Sequence, residues 1–490
     1  MIRPLFLILL FVAIHLHAGS ISEKKVINYL EYVTSCADHL LEFGTDHYGS
    51  RKTAMWASII DTRDYSVPEY GVPATKGVRS HDRAHGGSNL YQDVTTLKVF
   101  YALSDILNTD TYKDAANAYV TDYFKFAQSK YNGLLGWGEH LYYNFYADSV
   151  MIDQEKMENK GTRYFPHEFL GWTPPWKKLW NINPEKTKRA IRGLKYHYNG
   201  PDPKIYLFNR HANYFSTSHQ KNIMPWIKHS ALYAYSYAVL YNRTGNSNAL
   251  YWSRHSGNLY WKLRDTETNL TLSCLFHHNA STGKTSSISG TSLLAYWLYK
   301  AYELTGEEKQ KIKSLALFNA LDEYHWNNEQ QQYYASLNLD GTLHENSKIS
   351  TAWKKGYGSS SILRFGRVAA YLAKKENNPH FILMAKRSVT MLNQETLPDE
   401  FTAQNIADVM NINLDFYDIT KDNCYLQTVE KFAHIAVDQL WNNGLFARQN
   451  NHDPYYEAKL AVGDLLVAFL RLHLIYHPDN SKNIKYDWSF

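Results

Sequence analysis

The sequence predicts an all-α protein, an α/α toroid (barrel) of six to seven helical hairpins with a long irregular insertion carrying the site. Three observations support this. Amphipathic helix pairs recur at roughly 40–60-residue intervals, as arrays of helical hairpins do. No strictly alternating run is long enough to build a sheet. The segments that follow second helices also echo one another, with Asn132-Gly133-Leu134-Leu135 repeated as Asn443-Gly444-Leu445-Phe446.

In chain order, Met1-Ile2-Arg3, the apolar run Leu5–Ile14 and Ala18-Gly19-Ser20 read as a signal peptide over residues 1–20. It is too short for a membrane span, which needs about 20 apolar residues. A single catalytic domain over 21–490 and a secreted or periplasmic address are expected. Ile21–Phe43 has helical periodicity and stops at Gly44. Thr45–Ser80 is irregular, and Asn89–Leu107 resumes the helical pattern. The hairpins follow as Leu97–Leu107 with Thr111–Gln128, Ser230–Tyr241 with Asn248–Leu263, and Ser292–Leu304 with Glu307–Trp326. Ser360–Lys374 with Asn378–Leu392 and Asn405–Tyr417 with Asn423–Trp441 continue the series. Tyr455–Tyr476 ends it and is expected to pair with the N-terminal helix. A long insertion is read between Trp137 and Pro225.

Composition narrows the function. The net charge is +5 without a basic stripe, which argues against nucleic-acid binding. The 39 Tyr and 13 Trp suit either stacking on pyranose rings or aromatic packing in a helical core. Cys36, Cys274 and Cys424 are too few and too scattered for a disulfide framework or a zinc site. Asn242, Asn269 and Asn279 lie in glycosylation triplets. A monomer is expected.

The chemistry is sought in Gly133–His211, where Glu139-His140, His167-Glu168 and Arg210-His211 interrupt aromatic runs. His140, Glu168 and His211 offer two imidazoles and a carboxylate, a set suited to a divalent transition metal rather than to calcium. Histidines that cap turns are the plainer reading. A second constellation is His81, Asp82, Arg83 and His85, beside two glycines. Arg83 and His85 are candidates for binding a substrate carboxylate; a loop in which Asp82 and Arg83 satisfy each other is the alternative. Trp137, Tyr142, Tyr143, Trp172, Trp176 and Trp226 are candidate stacking platforms.

The Trp137-Gly138-Glu139-His140 element, Glu168 and Asn209-Arg210-His211 resemble the family 2 polysaccharide lyases, which cleave pectate. The resemblance implies an α/α toroid and a transition metal, commonly manganese, held by His140, Glu168 and His211. Mn2+ is favoured, with Ni2+, Co2+ or Zn2+ as alternatives, and Glu139 or His167 could replace Glu168. It also implies that Arg210 is the Brønsted base and that a lysine, Lys354 or Lys355, assists at the substrate. The expected activity is β-elimination on polygalacturonate or a related acidic polysaccharide. Read without the resemblance, Arg210 is a carboxylate clamp. A glycoside hydrolase using Asp82, Glu139 and Glu168 as paired carboxylates is the main alternative, and a non-catalytic sugar-binding protein is the other.

Overall fold

The structure, a computed structural model, describes residues 28–79, 82–152, 164–200, 207–219, 225–275, 285–354 and 360–481. The expected signal peptide, His81, Asn279 and Lys355 lie outside the described residues. The fold is all-α. Its helices are α1 (Tyr29–Glu42), α2 (Val94–Leu107), α3 (Thr111–Phe126), α4 (Trp176–Ile182) and α5 (Pro184–Gly193). Then come α6 (Ile227–Thr244), α7 (Ser247–Lys262), α8 (Ile288–Thr305), α9 (Glu308–His325) and α10 (Ser361–Glu376). The last four are α11 (Pro379–Gln394), α12 (Ala403–Thr420), α13 (Asn423–Leu440) and α14 (Val462–Tyr476). None is long and apolar enough to cross a membrane.

Burial separates the helices into two rings. Thirteen of the 18 residues of α6 are buried, against five of 16 in α7. In α12 thirteen of 18 are buried, against six of 18 in α13. A helix apolar on all sides must be enclosed, whereas one with a single apolar stripe sits at the surface. The inner helices α2, α14, α12, α10, α8 and α6 pack side by side in that order, and α3, α13, α11, α9 and α7 each lie outside a partner. The chain ends meet as the sequence predicts, because α1 packs on α14. The 137–225 segment departs from its reading as a pure insertion. It contains α4 and α5, which pack on each other, on α3 and on α6 and so complete the ring. These are short helices, of seven and ten residues, rich in Lys and Arg; α5 still buries Thr187, Ala190 and Ile191 on one face.

The hairpins are tight because the inner helix of each of the five hairpins stops on one left-handed residue: Asn108, Gly245, Gly306, Asn377 and Lys421 have φ of 51°, 65°, 70°, 49° and 57°. Three outer helices then start at once on capping side chains. Asn246, Asn378 and Asp422 each accept a bond from a first-turn backbone N–H. Three inner helices begin up to a turn before the sequence reading, at Ile227, Ile288 and Ala403. Their first turns carry polar residues that face the cleft described below, so the apolar period starts late.

A buried ion cluster fastens the chain ends. Strand β1 (Ile59–Asp61) pairs antiparallel with Tyr455–Glu457, with Ile59 opposite Glu457. The Glu457 carboxylate accepts two bonds from Arg83, both 2.8 Å, and one from Arg448 at 2.8 Å. Arg83 also donates to the carbonyls of Val72 and Pro73. Its side chain has no exposed surface, which corrects its expected substrate-binding role, and its partner is Glu457 rather than Asp82. Cys36, Cys274 and Cys424 are all free thiols.

Removing one member of a buried ion pair leaves uncompensated charge. Glu457→Gln is therefore expected to cost about 3–5 kcal/mol of stability. A chemical-denaturation midpoint unchanged from wild type would contradict this.

Candidate metal and active site

Two backbone contacts bring the predicted ligands together. β5 (Pro166–His167) pairs antiparallel with β6 (Ala212–Asn213), placing His167 opposite Ala212 and thus Glu168 beside His211. The three-stranded sheet of β2 (Gly87–Ser88), β3 (Tyr142–Asn144) and β4 (Ser149–Met151) holds the other arm. Between them Gly138 runs parallel to Glu168, and Glu139 N–H donates to the Glu168 carbonyl at 3.0 Å. Gly138 has φ +100°, and a Cβ there would lie 2.0 Å from that carbonyl oxygen. Only glycine permits the approach. The Asn89 side chain fixes this turn by donating to the carbonyls of Gly138 and Leu141.

The carboxylate of Glu168 is fully buried, and Oε2 lies 3.2 Å from His140 Nε2 and 2.6 Å from His211 Nε2. Oε1 makes no hydrogen bond; the nearest cationic or imidazole groups are His229 at 3.4 Å, Arg210 at 3.8 Å and Lys228 at 4.0 Å. Burial alone would raise the Glu168 pKa, but His211, His140 and His229 hold it well below the usual range. It is a carboxylate.

These residues fit a divalent cation. His140 Nδ1 is 2.7 Å from Asp82 Oδ1, which in the neutral ring places the proton on Nδ1 and leaves the Nε2 lone pair facing Glu168. Two imidazole nitrogens and a carboxylate oxygen then converge, all within 4.8 Å of one another. Such a donor set repels itself unless protons or a cation lie between. A mixed N2O set suits a borderline transition ion.

Asp82 is held ionised against the effect of its burial, by His140, Lys459 and Arg79. Its carboxylate is bonded by Arg79, and its backbone carbonyl accepts from Lys459. Arg79 also bonds Glu139. The three carboxylates considered for a hydrolytic pair are thus all engaged by cations or imidazoles. Asp82, Glu139 and His140 form a second close group of potential ligand atoms, sharing His140 with the first.

His167 is not a substitute ligand. Its Nε2 accepts from Trp137 Nε1 at 3.1 Å and its Nδ1 lies 2.8 Å from His197 Nε2. His197 Nδ1 in turn meets Tyr233 Oη at 2.8 Å and the Asn209 carbonyl at 3.2 Å. Burial pushes His167 down to about 3 and His197 well below its ordinary value. Both rings are neutral, so the protons run one way, from the Trp137 indole toward the Asn209 carbonyl. Asn209 N–H also donates to the His197 carbonyl at 2.6 Å. The chain pins the residue directly before Arg210-His211.

Arg210 and Lys228 face a cleft of about 320 Å³ with Lys354 and Arg364. Glu139 is the only carboxylate among its described lining residues. Lys354 is exposed to water yet crowded by protein; desolvation, then Arg364 and Lys228, push its ammonium down to about 8. An adjoining pocket of about 70 Å³ lies toward the ring interior. Thr95, Lys228, Ser289, Arg364, Gln404 and Asp464, one from the first turns of each inner helix, line the two spaces. Helix N-termini favour anions.

Several expected platforms are packing instead. Trp137, Tyr142, Tyr143 and Trp176 are at most 5% exposed, and Trp137 spends its N–H on His167. Trp172 and Trp226 do line the cleft. His85 is half-buried, and its carbonyl accepts from the Asn144 amide. Sequence reasoning missed Arg79, His197, Lys228, His229 and Arg364, which stand in ordinary helical or loop contexts without a local motif.

If Asp82 orients His140, Asp82→Asn will weaken divalent-cation binding by roughly 10–100-fold. Calorimetric titration of the purified protein with Mn2+ measures this, and equal affinity in both proteins would contradict it.

Residues 78–292 match the family described as periplasmic pectate lyase. A pectate disaccharide-lyase of Dickeya dadantii is 24% identical over 204 residues, covering 37% of this chain and 36% of the relative. The chain thus aligns with about a third of that relative's length. Similar solved structures include a family 76 glycoside hydrolase (mannosidase) from Bacteroides thetaiotaomicron, 10% identical, with a TM-score of 0.49 over 92% of this chain and 98% of that one. Another is a cellobiose 2-epimerase from Bacillus thermoamylovorans, 11% identical, with a TM-score of 0.46 over 90% and 98%. The periplasmic pectate lyase match over residues 78–292 therefore spans His140, Glu168, Arg210 and His211, the residues that the fold brings into one cluster.

Proposed function

We propose that this protein is a secreted or periplasmic polysaccharide lyase that cleaves polygalacturonate or a related uronan by metal-assisted β-elimination. The observation that carries this reading is the placement of four cationic side chains, Arg210, Lys228, Lys354 and Arg364, around the cleft beside the His140, Glu168 and His211 cluster. A neutral glycan has no charge to match such a lining. A chain of carboxylates matches it. The family match over residues 78–292 supports the same substrate class.

Elimination takes the proton from C5 of a uronate, forms the C4–C5 double bond and expels the oxygen on C4, which is protonated by solvent. The C5 proton is weakly acidic while the adjacent carboxylate keeps its full charge. A divalent cation on His140, Glu168 and His211 would neutralise that carboxylate as a Lewis acid, with Mn2+ the favoured ion. Lys228 and Lys354 bind and orient the uronate from the other cleft walls. Arg210 is assigned the base. Arg210 Nη1 and Lys228 Nζ approach the same Glu168 oxygen, to 3.8 and 4.0 Å. The His167–His197–Asn209 chain holds Arg210 against the cleft.

Polygalacturonate is expected to give an ultraviolet-absorbing unsaturated product, lost on chelation and restored by Mn2+. Arg210→Ala should lower its rate by about 100- to 10,000-fold while circular dichroism stays unchanged. Product without ultraviolet absorbance would indicate hydrolysis, and full activity in Arg210→Ala would remove the base assignment. Lys354 is charged below about 8 and loses its charge above, so kcat/KM should fall as pH rises through that value. Lys354→Met should lack this limb; an unchanged profile would exclude Lys354 from binding.

A further inference from the structure

We infer that Arg364 forms a second carboxylate subsite, in the cleft that Arg210 also lines, which takes the uronate next to the reacting one. This rests on the lyase reading and adds a requirement: two adjacent sugars must carry free carboxylates. Arg364 stands in the first turn of α10, half-buried, where the cleft meets the inner pocket. Its one side-chain bond among the described residues is a long one, 3.3 Å from Nη1 to Ser289 Oγ. No described carboxylate lies within ion-pair distance of it. The nearest acidic influence, Asp408, is engaged by the Ser360 N–H and the Gln404 amide. The other buried arginines behave differently: Arg83, Arg448 and Arg471 each hold carboxylates at 2.8–3.2 Å. A guanidinium withdrawn from bulk water without such a partner is poised for an anionic ligand.

The surroundings suit a pyranose. A Cβ built on Gly171 would lie 3.9 Å from both Arg364 Nη atoms, so the guanidinium stands beside the segment that follows Glu168. Trp172 beside it is half-buried, held by Tyr91 through its indole N–H at 3.0 Å, and lines both the cleft and the inner pocket. A sugar stacked there would have its carboxylate within the guanidinium's side of the cleft. Arg364 and Lys354 lie outside the 78–292 family match.

The test compares wild type, Arg364→Gln and Arg364→Lys on polygalacturonate and on partly methyl-esterified pectin, with calorimetric binding of saturated digalacturonate to the Arg210→Ala protein and to Arg210→Ala/Arg364→Gln. Arg364→Gln should lower kcat/KM on polygalacturonate about 10- to 100-fold, mainly through KM, the size of one charge-assisted bond. Its penalty on esterified pectin should be smaller, and Arg364→Lys should recover part of the loss. Digalacturonate affinity should fall by a similar factor in the double variant. If wild type cleaves polygalacturonate and Arg364→Gln keeps its KM and ester sensitivity, the subsite is wrong and the lyase reading stands. If no unsaturated product forms while digalacturonate binds through Arg364, the lyase reading fails and the subsite stands. Loss of activity in Arg364→Lys and Arg364→Gln alike, with digalacturonate affinity unchanged, also overturns the subsite.

Discussion

A carboxylate with no exposed surface stays ionised in a protein interior only when positive or polar groups surround it. Glu168 meets that condition with three imidazoles, an arginine and a lysine supplied by the 137–140 turn, the residues just before β6 and the first turn of α6. Those segments are held where they are by specific backbone devices. Gly138 lets two chains approach more closely than any Cβ would allow. Asn89 closes the turn that follows, and the His167–His197 chain anchors Asn209. The helical rings give these loops a rigid seat, because each hairpin stops on a left-handed residue and leaves no slack.

The toroid also has an electrostatic consequence. All inner helices run in the same direction, since each returns through an outer partner. Their N-terminal turns therefore gather around one cleft, and the partial positive charge of each points there. Adding Arg210, Lys228, Lys354 and Arg364 to that end yields a site matched to a polyanion. Fold and chemistry are linked here without any single motif recording the link.

Much of the fold was legible in the sequence, because helical hairpins repeat the same physical pattern. Gly245-Asn246, Gly306-Glu307 and Asn377-Asn378 each mark a stop and a start. The closing pair of α1 and α14 also followed from the pattern. What escaped was α4 and α5: α4 has only seven residues, and the apolar face of α5 is narrow, built of Thr187, Ala190 and Ile191 among charged residues. In the site, His140, Glu168, Arg210 and His211 were legible because polar pairs within aromatic runs are unusual, and resemblance ordered them. Arg83 misled: a lone arginine in a Gly-rich loop looks like a ligand for substrate, and only the fold reveals Glu457, 374 residues away, as its partner. Trp137 misled likewise, since exposure is a tertiary property. Lys228, His229 and Arg364 sit in first helical turns, where sequence alone cannot separate a solvated charge from one facing a cleft.

We propose that His140, Glu168 and His211 jointly hold a divalent cation facing this cationic cleft. Crystals soaked in Mn2+ and measured at the manganese absorption edge should show a strong anomalous peak bonded to His140 Nε2, Glu168 and His211 Nε2, with Arg210 and Lys228 lining the same cavity. A peak at Asp82 and Glu139 instead, or none in this cluster with Mn2+ in excess, would exclude the three as a joint metal site.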